Sequence, residues 1–80
     1  MQIQLLFFGI TTDLVGENTI HYNLQEETSI KELKEALKLA YPNLKNIHEF
    51  AIAVNEEYAN DDLTLRNGDV VAIIPPVSGG

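Results

Sequence analysis

One stretch of this chain reads as a helix, and only one. Ser29-Ile30-Lys31-Glu32 has the spacing of a capping box, in which the serine hydroxyl accepts from an early backbone N–H and the glutamate reaches back to the cap. Behind it Ile30, Leu33, Leu37 and Ala40 recur at helical spacing, Lys31 and Glu35 form an outward i,i+4 pair, and Pro42 forbids much continuation. The helix expected over about 29 to 41 therefore has a single face to bury. Most of the remaining apolar residues alternate with others. Ile3, Leu5 and Phe7 stand between Gln2, Gln4, Leu6 and Phe8; Ile20, Tyr22 and Leu24 between Thr19, His21 and Asn23; Ile52 and Val54 between Ala51, Ala53 and Asn55. A last strand, Val70 to Ile74, is introduced by the turn signal Asn67-Gly68-Asp69 and stopped by Pro75-Pro76, which cannot donate two successive backbone hydrogen bonds.

The order is strand, strand, helix, strand, short turn or helix, strand. The first two strands read as an antiparallel hairpin across a long, irregular turn containing Asp13, Gly16, Glu17 and Asn18, and a polar turn is expected at Glu56-Glu57. One helix cannot cover both faces of such a sheet. The fold class is α+β, a mixed sheet of four to five strands with one face packed on Ile30, Leu33 and Leu37 and the other turned to water or a partner.

Strand parity then sorts the side chains. If Ile3, Leu5 and Phe7 point at the helix, Leu6 and Phe8 point away, and we place Ala53, Ala72, Ile74 and Tyr58 with them. An apolar patch of this kind on a small domain marks an interaction site, unless some of its members close a minor second core under loops.

Composition narrows the function classes. The 80 residues fit one domain, here 1–74 with an extended tail over 75–80, and the absence of cysteine removes disulfides, thiolate metal sites and thiol nucleophiles together. Twelve acidic against five basic residues, a formal charge of −7, oppose a polyanion and favour a basic protein surface, so no nucleic acid is expected as partner. The apolar runs Leu5-Leu6-Phe7-Phe8 and Val70 to Ile74 fall far short of the roughly 20 residues of a bilayer span, and no basic start precedes an apolar signal core. The expectation is a cytoplasmic protein without a membrane partner.

A search for catalytic groups finds none. His21 and His48 are not at ligand spacing, and Glu26-Glu27, Glu56-Glu57 and Asp61-Asp62 fall near turns without the pattern of a calcium loop. No phosphate-cradling glycine loop is present, and Ser78 has no assignable base. No catalytic residue, bound metal or bound cofactor is expected.

What remains is the tail, Pro75-Pro76-Val77-Ser78-Gly79-Gly80. With glycine at about 7% of residues, a terminal pair arises by chance about 0.5% of the time. Its setting adds to this. A strand ends, two prolines stiffen the exit, and six residues at about 3.3 Å each reach about 20 Å, enough to enter another protein's cleft. Absent side chains let such an end pass a narrow channel and leave its carbonyl open to a nucleophile. The free carboxylate is inert until activated, most simply by ATP to an acyl adenylate, after which it can accept a lysine amine or sulfide.

With its Gly-Gly end, the order of elements resembles that of the β-grasp, ubiquitin-like sulfur carriers. Phe7-Phe8-Gly9, Leu14-Val15-Gly16, Ala53-Val54-Asn55, Gly68-Asp69 and above all Ile74-Pro75-Pro76-Val77-Ser78-Gly79-Gly80 resemble the small-subunit family of molybdopterin synthase. The likeness spans the chain, with its most specific part in the last seven residues; it departs at Ile10-Thr11-Thr12-Asp13, where the family often has a basic residue beside an acidic one. The resemblance implies that Gly80 is adenylated by an E1-like activating enzyme using ATP and converted to a thiocarboxylate. The tail, Pro75 to Gly80, then enters a large catalytic subunit, where the sulfur passes to cyclic pyranopterin monophosphate in molybdenum cofactor biosynthesis. It also implies a partner interface at Phe8, Tyr58 and Ile74, to which strand parity adds Leu6. The alternatives are a sulfur carrier for thiamine or transfer RNA thiolation, a ubiquitin-like modifier conjugated to lysine, and a plain interaction domain.

Overall fold

The first and last strands of the chain lie side by side in the middle of one sheet. The computed structural model describes residues 1–46 and 50–75. Strands β1 (Gln2–Phe7), β2 (Thr19–Asn23), β3 (Ala51–Val54), β4 (Glu57–Tyr58) and β5 (Val70–Ile74) form a five-stranded sheet in the order β2-β1-β5-β3-β4. It is mixed: β1 runs parallel to β5, with Leu5 opposite Val71 and Leu6 opposite Ala72, and the other neighbours are antiparallel. Helix α1 (Ile10–Val15) lies between β1 and β2, and the main helix α2 (Ile30–Ala40) follows β2.

Helix α2 starts where its capping box predicts. The Glu32 amide donates to Ser29 Oγ at 3.2 Å and the Ser29 amide to Glu32 Oε1 at 3.1 Å. The two amides between them are also satisfied, Ile30 N–H by the Leu63 carbonyl at 2.9 Å and Lys31 N–H by the Asp61 carbonyl at 3.1 Å. The segment before β5 thus closes the start of the helix, and Leu65 from the same segment is buried in the core.

Ile30, Leu33 and Leu37 meet Ile3, Leu5, Phe7, Ile52, Val71 and Ile73 from one face of the sheet, joined by Leu44, Phe50 and Leu65. The strand residues are alternate ones and the helix residues form one stripe, which is why a single helix suffices. Phe7 sets its ring edge-on to Tyr41 at a centroid distance of 6.1 Å, and Lys38 lies over the Phe50 ring at 5.9 Å.

Four details differ from the sequence reading. The long connection after β1 is not irregular throughout but holds α1, whose threonine hydroxyls bond strand carbonyls. Ala40 is exposed; the chain turns at Pro42 into a 3-10 turn (Pro42–Asn46), so Tyr41 and Leu44 extend the buried stripe instead. Lys31 and Glu35 are both exposed, and the ion pair that α2 makes among the described residues is Lys34 Nζ to Asp61 Oδ1 at 2.8 Å. Lastly, the β3–β4 turn sits one residue earlier than Glu56-Glu57. Asn55 and Glu56 carry φ of 51° and 73°, the paired left-handed conformations of a type I′ hairpin, and Glu57 already belongs to β4.

Candidate functional site

The face of the sheet away from α2 carries the candidate site. On β1 the inward Phe7 is 3% exposed while Phe8, the next residue, is 49% exposed. Val71 and Ile73 are fully buried and Ala72 and Ile74 half-buried, so the parity assigned to β5 is the one observed. Register then lines up one row across four strands, Leu6 beside Ala72, Ala72 beside Ala53, and Ala53 beside Tyr58. Ala53 is only 7% exposed yet belongs to no part of the main core, since it faces away from α2 with a single methyl close to the sheet. Tyr58 closes the row at the β4 edge with 77% exposure.

The other half of this face is polar. Gln2, Thr19, His21 and Asn23 are exposed and Gln4 is half-buried, leaving the apolar part confined to the end of β1 and to β5, β3 and β4. The ends of β1 and β5 are tied together, Phe8 N–H donating to the Ile73 carbonyl at 3.3 Å. Phe8 and Ile74 therefore flank the place where the chain leaves the sheet at Pro75, which is half-buried. Pro76, Val77, Ser78, Gly79, Gly80 and His48 lie outside the described residues.

Sequence reasoning missed two features here. Ile10, at the start of α1, is 54% exposed, two residues after Phe8. Its signal was an apolar side chain directly after Gly9, where the strand alternation has ended. The second is an open groove of about 720 Å³ between the β3–β4 hairpin and the segment before β5, walled by Tyr58, Leu63, Arg66 and Asp69 among others. These residues come from β4 and from separate places in the segment before β5, and share no sequence pattern.

Electrostatics at this face are those of solvated carboxylates. Glu56 and Glu57 are exposed beside Tyr58, and among the described residues no group of three or more His, Asp and Glu side chains could hold a metal ion. Asp61 is held below its usual carboxylate range by a hydrogen bond from Lys34 and by the charge of that ammonium, which belongs to the α2 contact and not to this face. His21 stands exposed on β2. No helix of the described structure is long and apolar enough to cross a membrane.

The arrangement suits docking. It presents an apolar half-face, two exposed glutamates at its β4 edge and a chain exit at the rim of the apolar patch.

Comparison with known proteins bears on this geometry directly. The model of the ThiS family matches residues 5–80. A molybdopterin synthase sulfur carrier subunit from Caenorhabditis elegans is 37% identical over 83 residues, covering 100% of this chain and 99% of that protein. Among solved structures, a chain of the protein–protein complex of subunits 1 and 2 of the molybdopterin-converting factor from Helicobacter pylori is 30% identical, with a TM-score of 0.70 and 100% coverage of both chains. SAMP1 from Haloferax volcanii, 22% identical and again covered in full, superposes with a TM-score of 0.85, a likeness of fold. The fold is thus a ubiquitin-like β-grasp, and the chain belongs to the ThiS family, with molybdopterin synthase sulfur carrier subunits as its relatives.

Proposed function

We propose that this chain is the sulfur-carrying, non-catalytic small subunit of a molybdopterin synthase. In this reading an E1-like enzyme joins the Gly80 carboxylate to AMP, releasing pyrophosphate from ATP. A sulfide equivalent then attacks the acyl carbon and AMP leaves, giving the thiocarboxylate. Within a large catalytic subunit the thiocarboxylate sulfur bonds to a side-chain carbon of cyclic pyranopterin monophosphate as that carbon's bond to oxygen breaks, the oxygen leaving as water or with the opened phosphate. Water cleaves the remaining acyl–sulfur bond and restores the Gly80 carboxylate. Two such deliveries supply the two sulfurs of the dithiolene.

The observation that supports this best is the position of the exit. The chain leaves β5 at Pro75, at the rim of the apolar half-face that Leu6, Phe8, Tyr58 and Ile74 share. A partner that covers this patch meets the chain at Pro75, and five further residues at about 3.3 Å each suffice to span about 16 Å. The Helicobacter pylori relative, solved as a complex of subunits 1 and 2 of the molybdopterin-converting factor, supports a second subunit as the partner. In this reading catalysis falls to that partner, and this chain contributes the sulfur and a docking surface.

The test is a chain carrying one residue beyond Gly80, and a second lacking Gly80, each presented to the activating enzyme, a sulfide source and the large subunit. Neither should yield molybdopterin, while both melt at the parent's temperature. Molybdopterin formed by the extended chain at the parental rate would end this reading.

A further inference from the structure

Where β1 and β5 end side by side, their last carbonyls are met by threonines of the following turn. Thr11 Oγ1 donates to the Phe8 carbonyl and lies 3.4 Å from the Ile73 carbonyl, and Thr12 Oγ1 donates to the Phe7 carbonyl at 2.9 Å. Thr11 N–H also donates to the Phe8 carbonyl, at 3.1 Å. Thr11 is 0% exposed and is the one buried polar side chain among the described residues. A hydroxyl taken out of water is costly unless bonded, and this one faces the final residues of two strands.

Gly9 completes the arrangement. Its backbone, at φ 56° and ψ −136°, occupies a region that essentially only glycine adopts. A Cβ added there would stand 3.0 Å from Pro75 Cγ, so the proline ring occupies the space where a side chain would begin. Pro75 thus rests on bare backbone at Gly9, while two residues earlier Ile73 is tied to Phe8 and faces Thr11.

We propose that Gly9 and Thr11 are positioning residues for sulfur transfer, forming a seat for Pro75 that fixes where and in which direction the reactive tail leaves the sheet. This rests on the sulfur-carrier reading above. The leverage is geometric: over the roughly 16 Å that five residues beyond Pro75 can span, a 20° change at the root displaces the end by about 5 Å. Misplacement of about 1 Å at a reacting centre can already cost about 100-fold in rate. Docking, by contrast, is the task of the apolar half-face, whose side chains the seat does not replace.

The experiment uses the full chain with a preformed C-terminal thiocarboxylate, measured in single turnover against saturating large subunit. Gly9→Ala and Thr11→Val should each slow transfer by about tenfold, with Kd for the large subunit within about threefold of the parent. Thr11→Ser, which keeps the hydroxyl, should restore the rate to within about twofold. Because Gly9 and Pro75 meet at one contact, Gly9→Ala with Pro75→Ala should slow transfer by less than the product of the two single losses, what remains being the backbone strain any side chain meets at Gly9. Nuclear Overhauser contacts between the Gly9 Hα protons and the Pro75 ring should be present in the parent and lost in Gly9→Ala.

A lowered melting temperature with unchanged transfer at saturation would show a merely structural role and overturn the proposal. So would rate losses that multiply in the double variant, or the absence of Gly9–Pro75 contacts in the parent. If the parent thiocarboxylate itself transfers no sulfur, the sulfur-carrier reading fails and the positioning role fails with it, whatever the contacts show. Contacts present, a parent that transfers and variants that do not slow would remove the positioning role alone.

Discussion

Phe7 and Phe8 are neighbours of identical chemistry on opposite faces of the sheet, so replacing each with alanine separates folding from docking. Phe7 is 3% exposed and set edge-on against Tyr41. Removing its ring costs about 3–5 kcal/mol in lost transfer and cavity, the aromatic contact with Tyr41 being part of that loss. A chain of this size is stable by about 4–12 kcal/mol, so Phe7→Ala removes a large share of what holds it together. Phe8 is 49% exposed. About half of its roughly 200 Å² is already in water, and with the methyl retained the loss is about 1 kcal/mol. Urea unfolding followed by far-UV circular dichroism should therefore rank Phe7→Ala well above Phe8→Ala, with melting temperatures separated by about 10 °C or more. Binding to the large subunit should rank them in reverse. As an aromatic anchor, Phe8 should cost about 2 kcal/mol on truncation, about a 30-fold rise in Kd by calorimetry, while the folded fraction of Phe7→Ala binds within a few-fold of the parent. Equal destabilisation by the two variants, or an unchanged Kd for Phe8→Ala, would refute the assignment of this face.

Three further outcomes are expected. Glu56→Gly should stabilise the chain by about 0.5–1 kcal/mol in the same urea assay, since φ 73° at the second position of a type I′ turn suits glycine and strains glutamate. Asp61 has its folded-state pKa lowered by Lys34, so the pair's contribution is present above the ordinary carboxylate pKa and is lost as pH falls through the lower folded value. Lys34→Met should bring the Asp61 carboxyl titration, followed by carbon NMR, back up toward its ordinary value; no movement would show that the pair does not persist in solution. His21→Ala should leave transfer from preformed thiocarboxylate within a few-fold of the parent, because loss of a true acid or base typically costs about 100-fold or more.

How much of this could be read without coordinates depended on whether the cause was local. The capping box at Ser29 and Glu32 needs only four residues, and it was legible. So was the outward parity of Leu6, Phe8, Ala72 and Ile74, because a period of two carries the whole strand with it. Helix α1 was not: its six residues are too few for a helical period to show, and Thr11 and Thr12 are poor helix formers stabilised there by carbonyls of another element. The end of the α2 stripe was misplaced at Ala40 because a tertiary turn at Pro42 brings in Tyr41 and Leu44. At the candidate site the patch was visible and the seat beneath it was not. Thr11 meets Ile73 across 62 residues of sequence, and no spacing announces such a contact.

The central place of β5 has a consequence for quality control. Without it the sheet separates into two unconnected ribbons, β2 with β1 and β3 with β4, since both join only through the last strand. A two-stranded ribbon on its own is marginal in water. Ordering of the whole domain must therefore wait for the pairing of its most distant segments, the slow, non-local kind of contact. Chains broken anywhere before Val70 should fail to fold and be cleared as unfolded protein. Any molecule that presents an intact sheet face to a partner has, by the same topology, already incorporated the strand from which residue 75 departs.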